Sequence, residues 1–138
     1  MMPLPFLDTN ILLRHITGDE PNHSPRATAF LRRIEQGDVT VRTADTVVFE
    51  TVYALQRVYR MPRQGIRDAV LPLLALPGIK LPGKASYRYA FDLYANQPGL
   101  SFGDCFHLAL MKRLRLSDML TFDRKIGRVP GITRVEPT

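Results

Sequence analysis

Two acids of this chain, Asp8 and Asp123, come directly after short apolar stretches of strand type. Two more, Glu50 and Asp104, lie within largely apolar helical patterns. Three and four residues from Glu50 stand Thr46, Val47, Tyr53 and Ala54, so no cation pairs with it along a helix. The equivalent neighbours of Asp104 are Leu100, Ser101, His107 and Leu108. An ionised carboxylate on an apolar element is costly to bury unless it is paired, hydrogen-bonded or bound to a metal. Simpler accounts exist for each one: a helix cap for Asp104, a backbone or distant Arg partner for Glu50, turn formation for Asp123. Taken together the four say more. In an open α/β sheet, ligands gather at the C-terminal edge of the strands. Acids converging there would push one another's pKa values up unless a cation compensates. All-oxygen ligation suits Mg²⁺ or Mn²⁺ rather than zinc, and His15, His23 and His107 are scattered rather than clustered. A carboxylate-held divalent ion in a basic protein points to phosphodiester hydrolysis, where it polarises the phosphoryl oxygen, activates water and stabilises the leaving oxygen.

The elements that must position these acids follow from local signals. Residues 5–7 read as a short buried strand delivering Asp8, with a helix over 10–17 ended by Gly18. Ser24 as N-cap and Pro25 at the first helical position predict a helix over 25–36, carrying Ala27, Phe30, Leu31 and Ile34 at helical spacing. Residues 39–41 predict a strand. Residues 44–59 form a long helix with an apolar stripe of Val48, Val52, Leu55 and Tyr59, and Pro62 opens another through about residue 76. A strand over 79–81 and a helix over 84–97 follow, broken by Pro98-Gly99. Ser101 and Asp104 stand in the capping-box relation at the head of a helix running to Arg115. Residues 119–121 predict a strand, 122–131 a loop and 132–135 a last strand. Helices alternating with short apolar strands predict an α/β fold: three layers, α/β/α, around a mostly parallel central sheet of four to five strands.

A chain of 138 residues suits one domain spanning 1–138, with no linker, repeat or low-complexity run. Its composition is ordinary for a globular protein, 45% apolar and 23% charged. The formal charge of +6, from 19 Lys and Arg against 13 Asp and Glu, suggests a polyanionic partner. Fifteen of those cations are Arg, which a GC-rich genome explains as well as phosphate recognition does. The single Cys105 forbids an internal disulfide and reads as a buried, inert thiol in a reducing compartment. The apolar N-terminal run is interrupted by Asp8 and lacks a basic flank, so no signal peptide is expected, and no stretch approaches a membrane span. A cytoplasmic protein with no membrane partner is the expectation.

Asp8-Thr9-Asn10 after the first strand, Glu50 within Val-Phe-Glu-Thr-Val-Tyr-Ala-Leu, Asp104 opening a late helix and Thr121-Phe122-Asp123 after a strand resemble a PIN domain. More closely they resemble the VapC-type toxin ribonucleases of bacterial and archaeal toxin–antitoxin pairs, over residues 4–127. The resemblance implies a Mg²⁺-dependent endoribonuclease, with Mn²⁺ as a substitute, that inhibits translation. It places Asp8 and Asp104 as the principal metal ligands and Glu50 and Asp123 as the acids completing the pocket. Thr9, Asn10 and Thr121 would support them. It further implies a homodimer and a cognate antitoxin whose C-terminal segment covers the acidic pocket; an Arg entering there would pair well with clustered carboxylates. Cys105 departs from the family, which more often has Ala after the third acid. Residues 62–100 match only as a helix–strand–helix pattern.

Basic residues near the acids could hold the RNA backbone, and Arg124 and Lys125, beside Asp123, are the foremost candidates. Cations at helix C-termini, such as Lys112, Arg113 and Arg115, are individually better explained by the helix dipole and solubility. Two rival readings stand. A noncatalytic PIN-like module would bind RNA or protein without cutting. A phosphatase of the haloacid dehalogenase type would need a second Asp two residues after Asp8, where the chain has Asn10. No P-loop is present.

Overall fold

The computed structural model describes residues 3–138, and the chain folds as two compact units that divide after Lys84. In the first unit, residues 5–7 run parallel to β1 (Val41–Arg42): Leu7 N–H donates to Arg42 O at 2.7 Å and Arg42 N–H to Pro5 O at 2.9 Å. β1 in turn pairs in parallel with β2 (Ile79–Lys80), Val41 opposite Ile79. Around these strands lie α1 (Thr9–Thr17), α2 (His23–Glu35), α3 (Asp45–Arg57) and α4 (Arg63–Leu74). Leu7, Leu12, Leu31, Ile34, Val41, Val47 and Ile79 form one buried cluster that joins strands to helices. The buried Thr43 hydroxyl donates to Leu7 O at 3.0 Å and so ties the end of β1 to the residue before Asp8. Lys84 ends the unit by donating to Leu76 O and Ile79 O, both at 2.8 Å. Burial, with Lys80 close by, holds its pKa below the ordinary lysine value.

In the second unit, α5 (Tyr87–Asn96) packs on α6 (Phe102–Leu114) through aromatic rings. Tyr94 meets Phe102 edge-on at 5.4 Å, and Phe91 lies 4.8 Å from Phe102. Such offset geometries match ring edges to ring faces. β3 (Asp118–Leu120) pairs in parallel with β4 (Thr133–Val135) in the register Asp118–Thr133, Met119–Arg134, Leu120–Val135. The expected α/β fold with parallel strands is therefore present. Among the described residues its strands are short and pair within each unit rather than as one run of four or five.

Three local expectations change. Helix α2 begins at His23, not at Pro25, because Glu20 rather than Ser24 serves its first N–H groups: the carboxylate accepts from Asn22 at 2.9 Å and from His23 at 2.7 Å. Ser24 lies buried inside the first turn and accepts from Glu20 N–H. The helix expected over 84–97 opens with a separate 3₁₀ turn, Lys84–Ser86. The loop expected over 122–131 contains a 3₁₀ turn, Arg124–Arg128, that Asp123 starts.

Candidate active site

Asp8 stands where a buried strand residue, Leu7, gives way to α1. Its backbone is extended (φ −92°, ψ 165°), and it occupies the N-cap position. Aspartate there ordinarily accepts from the first-turn N–H groups, but this side chain makes no cap hydrogen bond and is exposed. Its carboxylate is thus not spent on the helix it heads. The next residue, Thr9, turns inward and donates from Oγ1 to Glu50 Oε2 at 2.8 Å. That one bond brings the second acid, 41 residues further on, to the residue beside Asp8.

Glu50 projects from the side of α3 away from its buried face of Val47, Val48, Thr51, Val52 and Leu55. It is exposed, so the sequence reading of an acid placed at desolvation cost is corrected for this residue: the helix is amphipathic, and Glu50 is on its wet side. Tyr59, expected in the apolar stripe, instead lies beyond the helix end and donates to Asp19 Oδ2 at 2.9 Å. Thr17 also donates to Asp19, at 2.7 Å, and these hydroxyls, Thr17 first, hold the Asp19 carboxyl below the usual range. α1 is therefore tied to α3 at both ends, by Thr9–Glu50 and by Asp19–Tyr59. Neither tie has a local signal in the sequence.

Asn10 is exposed and lines a cavity of about 590 Å³ between α1 and α2, with Arg14, His23, Arg26 and Phe30 around it. His15 spans the same helix pair, its Nδ1 lying 2.8 Å from Thr28 Oγ1. Burial, reinforced by the Arg32 charge, lowers its pKa.

In the second unit Asp104 forms the expected capping box. Ser101 Oγ accepts from Asp104 N–H, and Asp104 Oδ2 accepts from Ser101 N–H, both at 3.0 Å. The half-buried Asp104 thus has a structural duty at one oxygen. Asp123 is fixed by two short-range bonds: its N–H donates to Thr121 Oγ1 and its Oδ1 accepts from Lys125 N–H, each at 3.0 Å. The Thr121 hydroxyl thus fixes the backbone at Asp123. Arg124 and Lys125 carry exposed side chains. Cys105 is buried, and His107 is exposed. Among the described residues, no group of three or more His, Cys, Asp or Glu side chains is arranged to hold an ion. Nor is any helix long and apolar enough to cross a membrane.

Comparison with known proteins adds to this geometry. The PIN domain matches residues 6–132, through both units. A VapC ribonuclease of Aquifex aeolicus is 26% identical over 132 residues, covering 96% of each chain. Ribonuclease VapC23 of Mycobacterium tuberculosis is 28% identical over 124 residues, covering 88% of this chain and 94% of its own. The chain belongs to the PIN-domain family.

Proposed function

We propose that this chain is a divalent-metal-dependent endoribonuclease, the toxin of a VapBC-type pair, and that Asp8, Glu50, Asp104 and Asp123 carry its chemistry within one functional domain. The observation that carries the reading is the head of α1. There Asp8 keeps both carboxylate oxygens off the helix, while Thr9 draws Glu50 to its side. The PIN match across both units and the VapC ribonucleases among the relatives support the activity class.

The donors are carboxylates throughout, which suits Mg²⁺ or Mn²⁺. Asp8 and Asp104 would hold the ion. Asp8 makes no cap hydrogen bond, and Asp104 keeps Oδ1 outside its capping box. When bound, such an ion polarises the phosphoryl oxygen and lowers the pKa of water. Glu50, steadied at Oε2 by Thr9, keeps Oε1 to accept the proton of the attacking water. Asp123, braced by Thr121 and by Lys125 N–H, adds negative charge to the acid set, and Arg124 and Lys125 bind the phosphate backbone. A cognate antitoxin, a homodimer and a cytoplasmic setting complete the proposal.

Purified protein incubated with total RNA and Mg²⁺ should generate new 5′ ends at defined positions. EDTA, Asp8→Ala or Asp104→Asn should abolish them. Wild-type cleavage by either variant would remove that residue from the site. RNA binding without any cleavage would mark a noncatalytic module.

A further inference from the structure

Phe122 is 72% exposed, and Leu120, two residues earlier, is 68% exposed. Leu120 is the register partner of Val135, itself 36% exposed, and Phe122 follows the end of β3 by two residues, so three apolar side chains at this end of the β3–β4 ladder are open to water. Exposed apolar patches of this kind mark binding surfaces. Polar Asp118 and Thr133, paired at the far end of the ladder, close the patch there.

The backbone around Phe122 is held firmly. Thr121 N–H donates to Val135 O at 2.9 Å, Arg134 Nη1 reaches Thr121 O at 3.4 Å, and Asp123 N–H is bound by Thr121 Oγ1. A free aromatic ring on a fixed backbone is a stacking platform. The residues that follow it decide what stacks: Asp123, then the exposed cations Arg124 and Lys125, on a chain of net charge +6. An apolar partner would have no use for those cations. A single-stranded polyanion with planar bases uses both.

We propose that Phe122 stacks a base of the RNA strand next to the cleaved phosphate, while Arg124 and Lys125 hold the flanking phosphates. This rests on the ribonuclease reading above. Phe122 is then a substrate-binding residue that sets which nucleotide enters beside Asp123.

The chain contains no Trp, so Phe122→Trp installs a single indole at this position. In an Asp8→Asn background with Mg²⁺, adding a single-stranded oligoribonucleotide should quench its emission, and inorganic polyphosphate of matched charge should not. Equal quenching by both, or by neither, would overturn the proposal. In the active protein, Phe122→Leu should raise KM and the Kd for the oligoribonucleotide by roughly 5- to 150-fold, the range of one lost stack, with kcat changed much less. Phe122→Tyr should restore both. Wild-type KM in Phe122→Leu would sink the stacking role and leave the ribonuclease reading intact. A wild-type protein that neither binds nor cuts RNA would sink both. Dissociation of a dimer in Phe122→Leu, with RNA affinity unchanged, would reassign the patch to a protein interface.

Discussion

Asp8 and Asp104 have the same charge and the same proposed task, but the backbone uses them differently, and substitution should separate the two roles. Asp8 makes no bond to its own helix, so Asp8→Ala should leave thermal stability within about 0.5 kcal/mol of wild type while removing cleavage. Asp104 completes a capping box, so Asp104→Ala should cost about 1 kcal/mol of stability besides its activity. Asp104→Asn keeps an acceptor for Ser101 N–H and should lose the activity alone. Denaturation curves of the three variants check this; equal stabilities for Asp104→Ala and Asp8→Ala would contradict the box. Thr9 offers a finer test. Thr9→Val keeps the buried volume and removes the hydroxyl that holds Glu50. A loss of about 1.5 kcal/mol in transition-state stabilisation, roughly tenfold in kcat/KM, is expected with little change in folding.

At the scale of elements, the α1–α2 pair is joined through a histidine whose pKa is lowered by burial and then by Arg32. A lowered folded-state pKa means that the unfolded chain binds the proton more readily. The stability this residue contributes is therefore full above about pH 6.5 and is lost as pH falls from there through the folded-state value. The melting temperature should decline over that window, and His15→Gln should flatten the decline. Identical pH slopes in the two proteins would exclude His15 as the cause. The approach of α2 to β2 depends on Gly78. A Cβ at that position would lie 2.7 Å from Ile34 Cγ2 and 3.1 Å from Val39 O. Gly78→Ala should cost about 1–3 kcal/mol, because the backbone oxygen cannot yield as the side chain can. Calorimetry measures this directly.

For the whole molecule, the charge of +6 acts through the number of phosphates neutralised. With about three phosphate contacts, RNA affinity should fall roughly tenfold or more between about 50 and 200 mM salt. Replacing Arg124 and Lys125 together by Ala should weaken binding across unrelated RNA sequences and flatten that dependence, measured by anisotropy titration at several salt concentrations. An unchanged slope would place the backbone contacts elsewhere. The PIN match runs through both compact units.

Much of this was legible along the chain because it is short-range. Helix starts, the Ser101–Asp104 box and the placing of Asp8 and Asp123 after apolar strand residues depend on neighbours within four positions. The oxygen-rich character of the proposed site follows from residue types alone. Tertiary structure decided what those types are used for. Glu50 faces water and is claimed by a hydroxyl 41 residues away, and Tyr59 leaves the apolar stripe to bind Asp19 across 40 residues. Glu20 takes the cap expected of Ser24, because a longer side chain from the preceding turn reaches both free N–H groups. Phe122, an ordinary apolar letter in the sequence, lies just past the end of β3 and stays in the solvent. Local geometry is written in adjacent residues, whereas exposure and partnership are set by which distant surfaces fold against one another.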